Sequence, residues 1–405
     1  MRWPRWVVAA AAATLLLWAG WRGAEREHAP VPPAAASRSG VVAESLSLFA
    51  FASAGASATP VMARAAALLP EAAPSDTCGF DSVDLASDDP EGLQYVPPAL
   101  RHAAFEQVDA LMLASDDAQV RAAALLIGAQ ARHGDTRGRI DRLARLAAGS
   151  QDPIVYAIAL EGCKAWTAGD AGACALLSRA QWARLDHDNA LPWLELAAEA
   201  RQQQAFDAEA EAMQRAALAR RIDAHAGLLP ALVDRALGSQ APPLQRMLAL
   251  SAGWSAQAGW IASHANQAHA YCGADAVADR ERRPSCEALA ETLALRSTSV
   301  SDLGVGLAIG RNLGWASERL EALQQEQDAL SEAGGFQAIG FDFSCEFMER
   351  MQAWTRQLAA RGELQAMRDV LARSGRSVEQ WSVQYRRNFA VATAAAEAAT
   401  AAAPP

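Results

Sequence analysis

The stretch LDHDNALPWLELAAEA, residues 185–200, decides the fold. Asn189 is a residue type whose side chain caps a helix start, and Pro192 follows within the first turn, where its missing N–H is not needed. From Trp193, apolar residues recur at i+3, i+4 and i+7 as Leu196, Ala197 and Ala200, which lie on one face of a helix. That spacing predicts a helix burying this face, with Trp193 as a structural residue in it. A second apolar run through Phe206, Met213 and Ala216 predicts a partner helix, so the segment reads as a helical hairpin.

Outward from there, start and stop signals recur in both directions. Ser115 precedes a periodic run that Gly134 ends, Gly149 closes the next, and Asp152-Pro153 opens another that Gly169 stops. Later starts fall at Pro242, Ser285, Ser299, Ser317 and Ser344. No stretch alternates as a half-buried strand does. Alanine, leucine, arginine, glutamate and glutamine dominate, which is helix-forming vocabulary. The expectation is an all-α body over residues 78–390, followed at 391–405 by a low-complexity alanine tail that frays. Asp116, Asp152 and Asn189 open successive units about 36 residues apart.

The unit around residues 185–220 resembles a tetratricopeptide repeat. The resemblance is carried by Trp193, Leu196, Ala197, Ala200, Phe206, Met213 and Ala216 and by the linker Leu185–Ala190, where His187 stands in place of the usual proline. Gln204 departs from it where a small turn residue is expected, and Glu209 where a small packing residue is expected; neighbouring units fit more loosely. The family implies an α-solenoid of helical hairpins with a concave face for protein or peptide partners. It implies no particular binding residues.

At the other end of the chain, Trp6 to Trp21 is a run of sixteen uncharged residues with basic Arg2 and Arg5 before it. Small residues suited to cleavage do not follow closely, because Trp21, Arg22 and Glu25 occupy that place. Residues 1–21 therefore read as a transmembrane signal-anchor with the N-terminus inside, and a cleaved signal peptide is the alternative. At 1.5 Å per residue the run spans roughly 24 Å, short of the ~30 Å hydrocarbon core. Residues 22–77, rich in Ala, Pro and Ser, read as a flexible tether. The location implied is the inner membrane, single-pass, with the body facing the periplasm or exterior, or secretion if the segment is cleaved.

A net charge of -10 argues against nucleic-acid partners, which require a basic face. Lys164 is the only lysine, which reads as compositional bias. Of six cysteines, Cys163 and Cys174 flank Gly169 almost symmetrically, and Cys272 and Cys286 close the polar segment between them. Both spacings predict disulfides, with Cys78 and Cys345 pairing by elimination. Six free thiols are the alternative. No cysteine pair has zinc-ligand spacing.

Chemistry-bearing motifs are few. Gly304, Gly306 and Gly310 miss the spacing of a nucleotide-binding loop and read as small residues that let helices approach. His264 and His269 point about 140° apart on a helix and cannot share a metal. Asp81, Asp84, Asp88 and Asp89 lack the glycine and glutamate of a calcium loop. Phe336, Phe341, Phe343, Phe347 and Trp354 read as core around Cys345. The sequence thus predicts no cofactor, no metal and a scaffold that binds a protein or peptide. The alternative is an envelope enzyme acting on cell wall or peptide, which would need converging carboxylates or a nucleophile with its base, and no such set is visible.

Overall fold

The computed structural model describes residues 98–131, 134–164, 172–238, 241–258, 260, 264–334 and 345–402. The anchor, the tether, Cys78, the acidic cluster, Gly169, Phe336, Phe341 and Phe343 lie outside them. Among the described residues the body is all-α, with two isolated bridges as its only β pairing.

The first helices are α1 (Pro98–Leu113), α2 (Ala118–Gln130), α3 (Thr136–Ala148) and α4 (Pro153–Cys163), followed by a 3-10 turn (Gly172–Leu176). Then come α5 (Arg179–Leu185), α6 (Ala190–Gln202), α7 (Phe206–Leu218), α8 (Leu228–Leu237) and α9 (Pro243–Ala258). Short α10 (His264–Tyr271) and α11 (Ala274–Ala278) lead to α12 (Arg283–Leu295), α13 (Val300–Leu313) and α14 (Ser317–Ala333). The last two are α15 (Cys345–Arg373), broken at Gly362, and α16 (Val378–Ala402). Helix α16 runs past residue 390, where composition suggested a fraying tail; alanine is the strongest helix former and carries it on.

Helix starts follow their capping side chains. Asp152 and Asn189 accept from the N–H groups of Ile154 and Leu191, and Ser299 from that of Ser301. The start expected at Asp116 falls one residue later, because Asp117 accepts from Gln119 and Val120. The start expected at Ser285 falls at Arg283, ahead of Pro284 in the first turn.

Consecutive helices pack as hairpins, α2 on α3, α6 on α7, α8 on α9 and α12 on α13. Gly306 makes the last of these possible: a Cβ there would lie 2.6 Å from the Ala294 backbone nitrogen. The stack does not stay open, however. Helices α8 and α9 return to pack on α1 and α2, and α15 packs on α8. Arg235 of α8 pairs with Asp117 at 2.9 Å, and buried Asp234 accepts from Gln352 and Arg356 of α15 at 2.8 and 2.6 Å. A solenoid in which each hairpin touches only its neighbours would lack these contacts.

Connections between hairpins stack on one another. Ala190 N donates to Arg221 O, Thr298 N to Ile222 O, and Leu364 N to Thr298 O, at 2.9 to 3.1 Å. Asn189, fully buried, sits at the hub: its Oδ1 accepts from Leu191 N and Asp223 N, and its Nδ2 donates to Asp186 Oδ2 and Asp223 O.

In the repeat-like unit, Ala197, Ala200, Met213 and Ala216 are buried. Leu194, fully buried, takes the centre of the α6 face, while Trp193 and Leu196 are half-buried at its edge. Phe206 differs from expectation and is 63% exposed. It opens α7, and a helical side chain leans toward the N-terminus, so it projects past the end of α6 instead of across it. Glu209 is buried and held by Arg201 at 3.0 Å and Gln267 at 2.8 Å, which explains how a carboxylate replaces a small residue. Gln204 has φ 59°, the left-handed conformation that glycine adopts without strain. Gln204→Gly is expected to stabilise the protein by about 1 kcal/mol, read as a raised denaturation midpoint. A midpoint that falls would contradict this.

The structure joins Cys163 to Cys174 and Cys272 to Cys286, with Cα separations of 5.8 and 5.6 Å. Cys345 is also disulfide-bonded. Cys272 and Cys286 are fully buried, whereas Cys163 and Cys174 are half-buried. Thiol attack requires access to sulfur. Mild reductant without denaturant is therefore expected to open Cys163–Cys174 well before Cys272–Cys286, as followed by alkylation and peptide mapping. Equal rates would refute that ordering.

Candidate functional site

Four segments meet at a crevice lined by Glu161 and Lys164 at the end of α4, Arg179 and Trp182 of α5, Glu195 of α6, and Trp260 after α9. Local sequence sets where α5 begins. Ser178 caps α5 and donates its own N–H to the Tyr156 hydroxyl, which ties the start of α5 to α4. The Cys163–Cys174 bond ties the end of α4 to the 3-10 turn before α5. Free volume in the crevice is about 30 Å³, room for one or two water molecules.

Its charges are paired across the crevice. The Glu161 side chain is 8% exposed, and Lys164 Nζ lies 2.5 Å from it. Burial nevertheless pushes the Glu161 carboxyl above the ordinary carboxylate range, against the pull of Lys164 and with Glu195 adding to the rise. Arg179 lies 3.6 Å from both Glu195 and Glu199. Trp182 is buried, and its Nε1 has no acceptor among the described residues.

Behind the crevice, the His225 ring meets the Trp260 ring edge-on at 6.2 Å. His225 has φ 55°, a conformation uncommon outside glycine. Its Nδ1 lies 3.5 Å from Asp223 Oδ2, and its buried Nε2 has no partner among the described residues. Burial alone would raise the Asp223 carboxyl. The His225 ring and backbone N–H, with Arg221, outweigh it and hold that carboxyl far below the usual range. Its folded value thus lies below the unfolded value near 3.8, so the stability it contributes is complete above that pH and is lost as pH falls through the folded value. Asp223→Asn is expected to be less stable near neutral pH and to lose less on acidification than the wild type. Parallel stability profiles would contradict the assignment.

A larger open groove of about 400 Å³ lies along α3, between Gly134, Asp135 and Arg145. Its one buried cation, Arg139, is already saturated by Asp109, so the groove offers only exposed arginines. Volume alone does not make it the better site.

The residues singled out from sequence do not converge here. Trp193 donates its Nε1–H to His187 O on the edge of α6. Phe347 is buried core. The crevice residues were missed, although Lys164, the single lysine beside a cysteine, was visible. Among the described residues no group of three or more His, Cys, Asp or Glu could hold a metal, and no helix is long and apolar enough to cross a membrane. Compared with known proteins, the chain matches no family model, no curated protein and no solved structure. The disulfides point to an oxidising, extracytoplasmic compartment.

Proposed function

We propose that the chain is an envelope protein, anchored in the inner membrane by residues 1–21, whose disulfide-stabilised helical body binds another polypeptide. The observation that carries this reading is the crevice, where two tryptophans and two buried carboxylates meet as α4, α5 and α6 come against Trp260. Aromatic walls around a few placed charges are the composition of a recognition site. Within it, the α6–α7 hairpin is the part we read as tetratricopeptide-like, a single unit set into a closed helical body.

A second reading is favoured by Glu161, whose raised carboxyl beside Glu195 has the character of a general acid. Against it, both carboxylates already have cationic partners. Cross-linking the full-length chain in its native envelope distinguishes the two. A defined protein captured by the wild type and lost from a normally melting Glu161→Gln variant supports the scaffold. Turnover of cell-wall or peptide substrate that this variant abolishes establishes the enzyme instead.

A further inference from the structure

We infer that the crevice receives a primary ammonium, the tip of a lysine side chain on the partner polypeptide, and that Lys164 occupies that place in the unbound protein. The inference rests on the scaffold reading above and gives its site a ligand chemistry.

Glu161 is a buried anion whose counter-ion is a surface group: Lys164 is 42% exposed and sits at the C-cap of α4. A cation so placed can swing into water, where a mobile side chain regains entropy, at the cost of one charged hydrogen bond. An incoming ammonium restores that bond. With Lys164 withdrawn, buried Glu161 loses its counter-ion, while Arg179 stays shared between Glu195 and Glu199. Trp182 and Trp260 line the crevice and supply apolar surface for a lysine's methylene stem. Free space of about 30 Å³ suits an ammonium tip better than a whole amino acid. The chain's net charge of -10 steers cationic partners toward it.

The test titrates the full-length protein with the peptides acetyl-Gly-Lys-Gly-amide and acetyl-Gly-Gln-Gly-amide, followed by calorimetry and tryptophan fluorescence. Removing the internal competitor in Lys164→Gln is expected to tighten binding of the lysine peptide about tenfold or more, the size of one charged hydrogen bond. The glutamine peptide should bind neither protein, and adding Glu161→Gln to Lys164→Gln should remove binding. Lys164→Gln that binds both peptides equally, or binds the lysine peptide no tighter than wild type, overturns the inference. Because Lys164 is exposed, that comparison holds even if the Glu161 variant does not fold. Failure here with partner capture intact would sink the ammonium site and leave the scaffold reading standing; loss of capture by the wild type would sink the scaffold reading itself.

Discussion

Asn189→Ala is expected to lower folding stability by about 4 kcal/mol, near the upper end for a single substitution. The side chain is fully buried, and all its hydrogen-bonding capacity is used within the protein. Alanine removes a helix cap, worth about 1 kcal/mol. It also strands the Asp223 backbone N–H and C=O and one oxygen of Asp186, and each unsatisfied buried group costs about 1–3 kcal/mol. Arg221 still neutralises Asp186 at 2.6 Å, which keeps the loss from growing further. The effect should also spread, since the Asp223 connection holds Thr298 and, through it, Leu364. Equilibrium denaturation measures the change, and native-state hydrogen exchange should show faster opening at Thr298 and Leu364. A variant within about 1 kcal/mol of wild type would show that the hub is not what couples these connections.

Asn189 was legible as a cap because capping is local: a short polar side chain before an apolar-periodic run has few other uses. Its second role was not, because the partner, Asp223, lies 34 residues away and nothing in periodicity reports a hydrogen bond between loops. The same division separates the cysteines from the crevice. Cys163 and Cys174 are 11 residues apart across one connection, so chain geometry alone limits their partners. Glu161, Arg179 and Glu195 come from three helices, and only their packing brings them together.

Trp193 shows how a local argument can be close and still misplace a side chain. Several assignments of the apolar face fit an alanine-rich helix, because Ala190, Leu191, Leu194 and Ala197 satisfy helical spacing as well as the set beginning at Trp193. Packing selected the stripe centred on Leu194 and left the indole at the rim, where its N–H reaches a backbone carbonyl. An amphipathic ring prefers such a boundary. The closure of α8 and α9 onto α1 and α2 was likewise illegible, since helical-hairpin signals are the same for an open stack and a closed one.

Replacing Arg139 by methionine is expected to cost about 3–5 kcal/mol, while the double change Arg139→Met with Asp109→Leu should be close to wild type or more stable. Arg139 of α3 and Asp109 of α1 form a two-pronged pair, Nη1 to Oδ1 at 2.8 Å and Nη2 to Oδ2 at 2.6 Å. Both side chains are 9% exposed, so each group has given up water and depends on the other. Removing the arginine leaves a buried carboxylate without a counter-charge. Removing both returns two apolar side chains to an interface whose neighbours include Val108 and Ile140, and no charge then has to be desolvated. Gly128 sharpens the expectation, because a Cβ there would overlap the guanidinium; the pair is seated in a space shaped for it and not draped over a surface. A double-mutant cycle by chemical denaturation separates the outcomes. If Arg139→Met alone stays within about 1 kcal/mol of wild type, Asp109 has found water or another partner, and α1 is held by its packing on α2, α8 and α9. If the single change is severe and the double change is severe too, the pair is more than a mutually dependent couple: its forked geometry would be fixing the angle at which α1 enters the body, with α8 and α9 then unable to close on it.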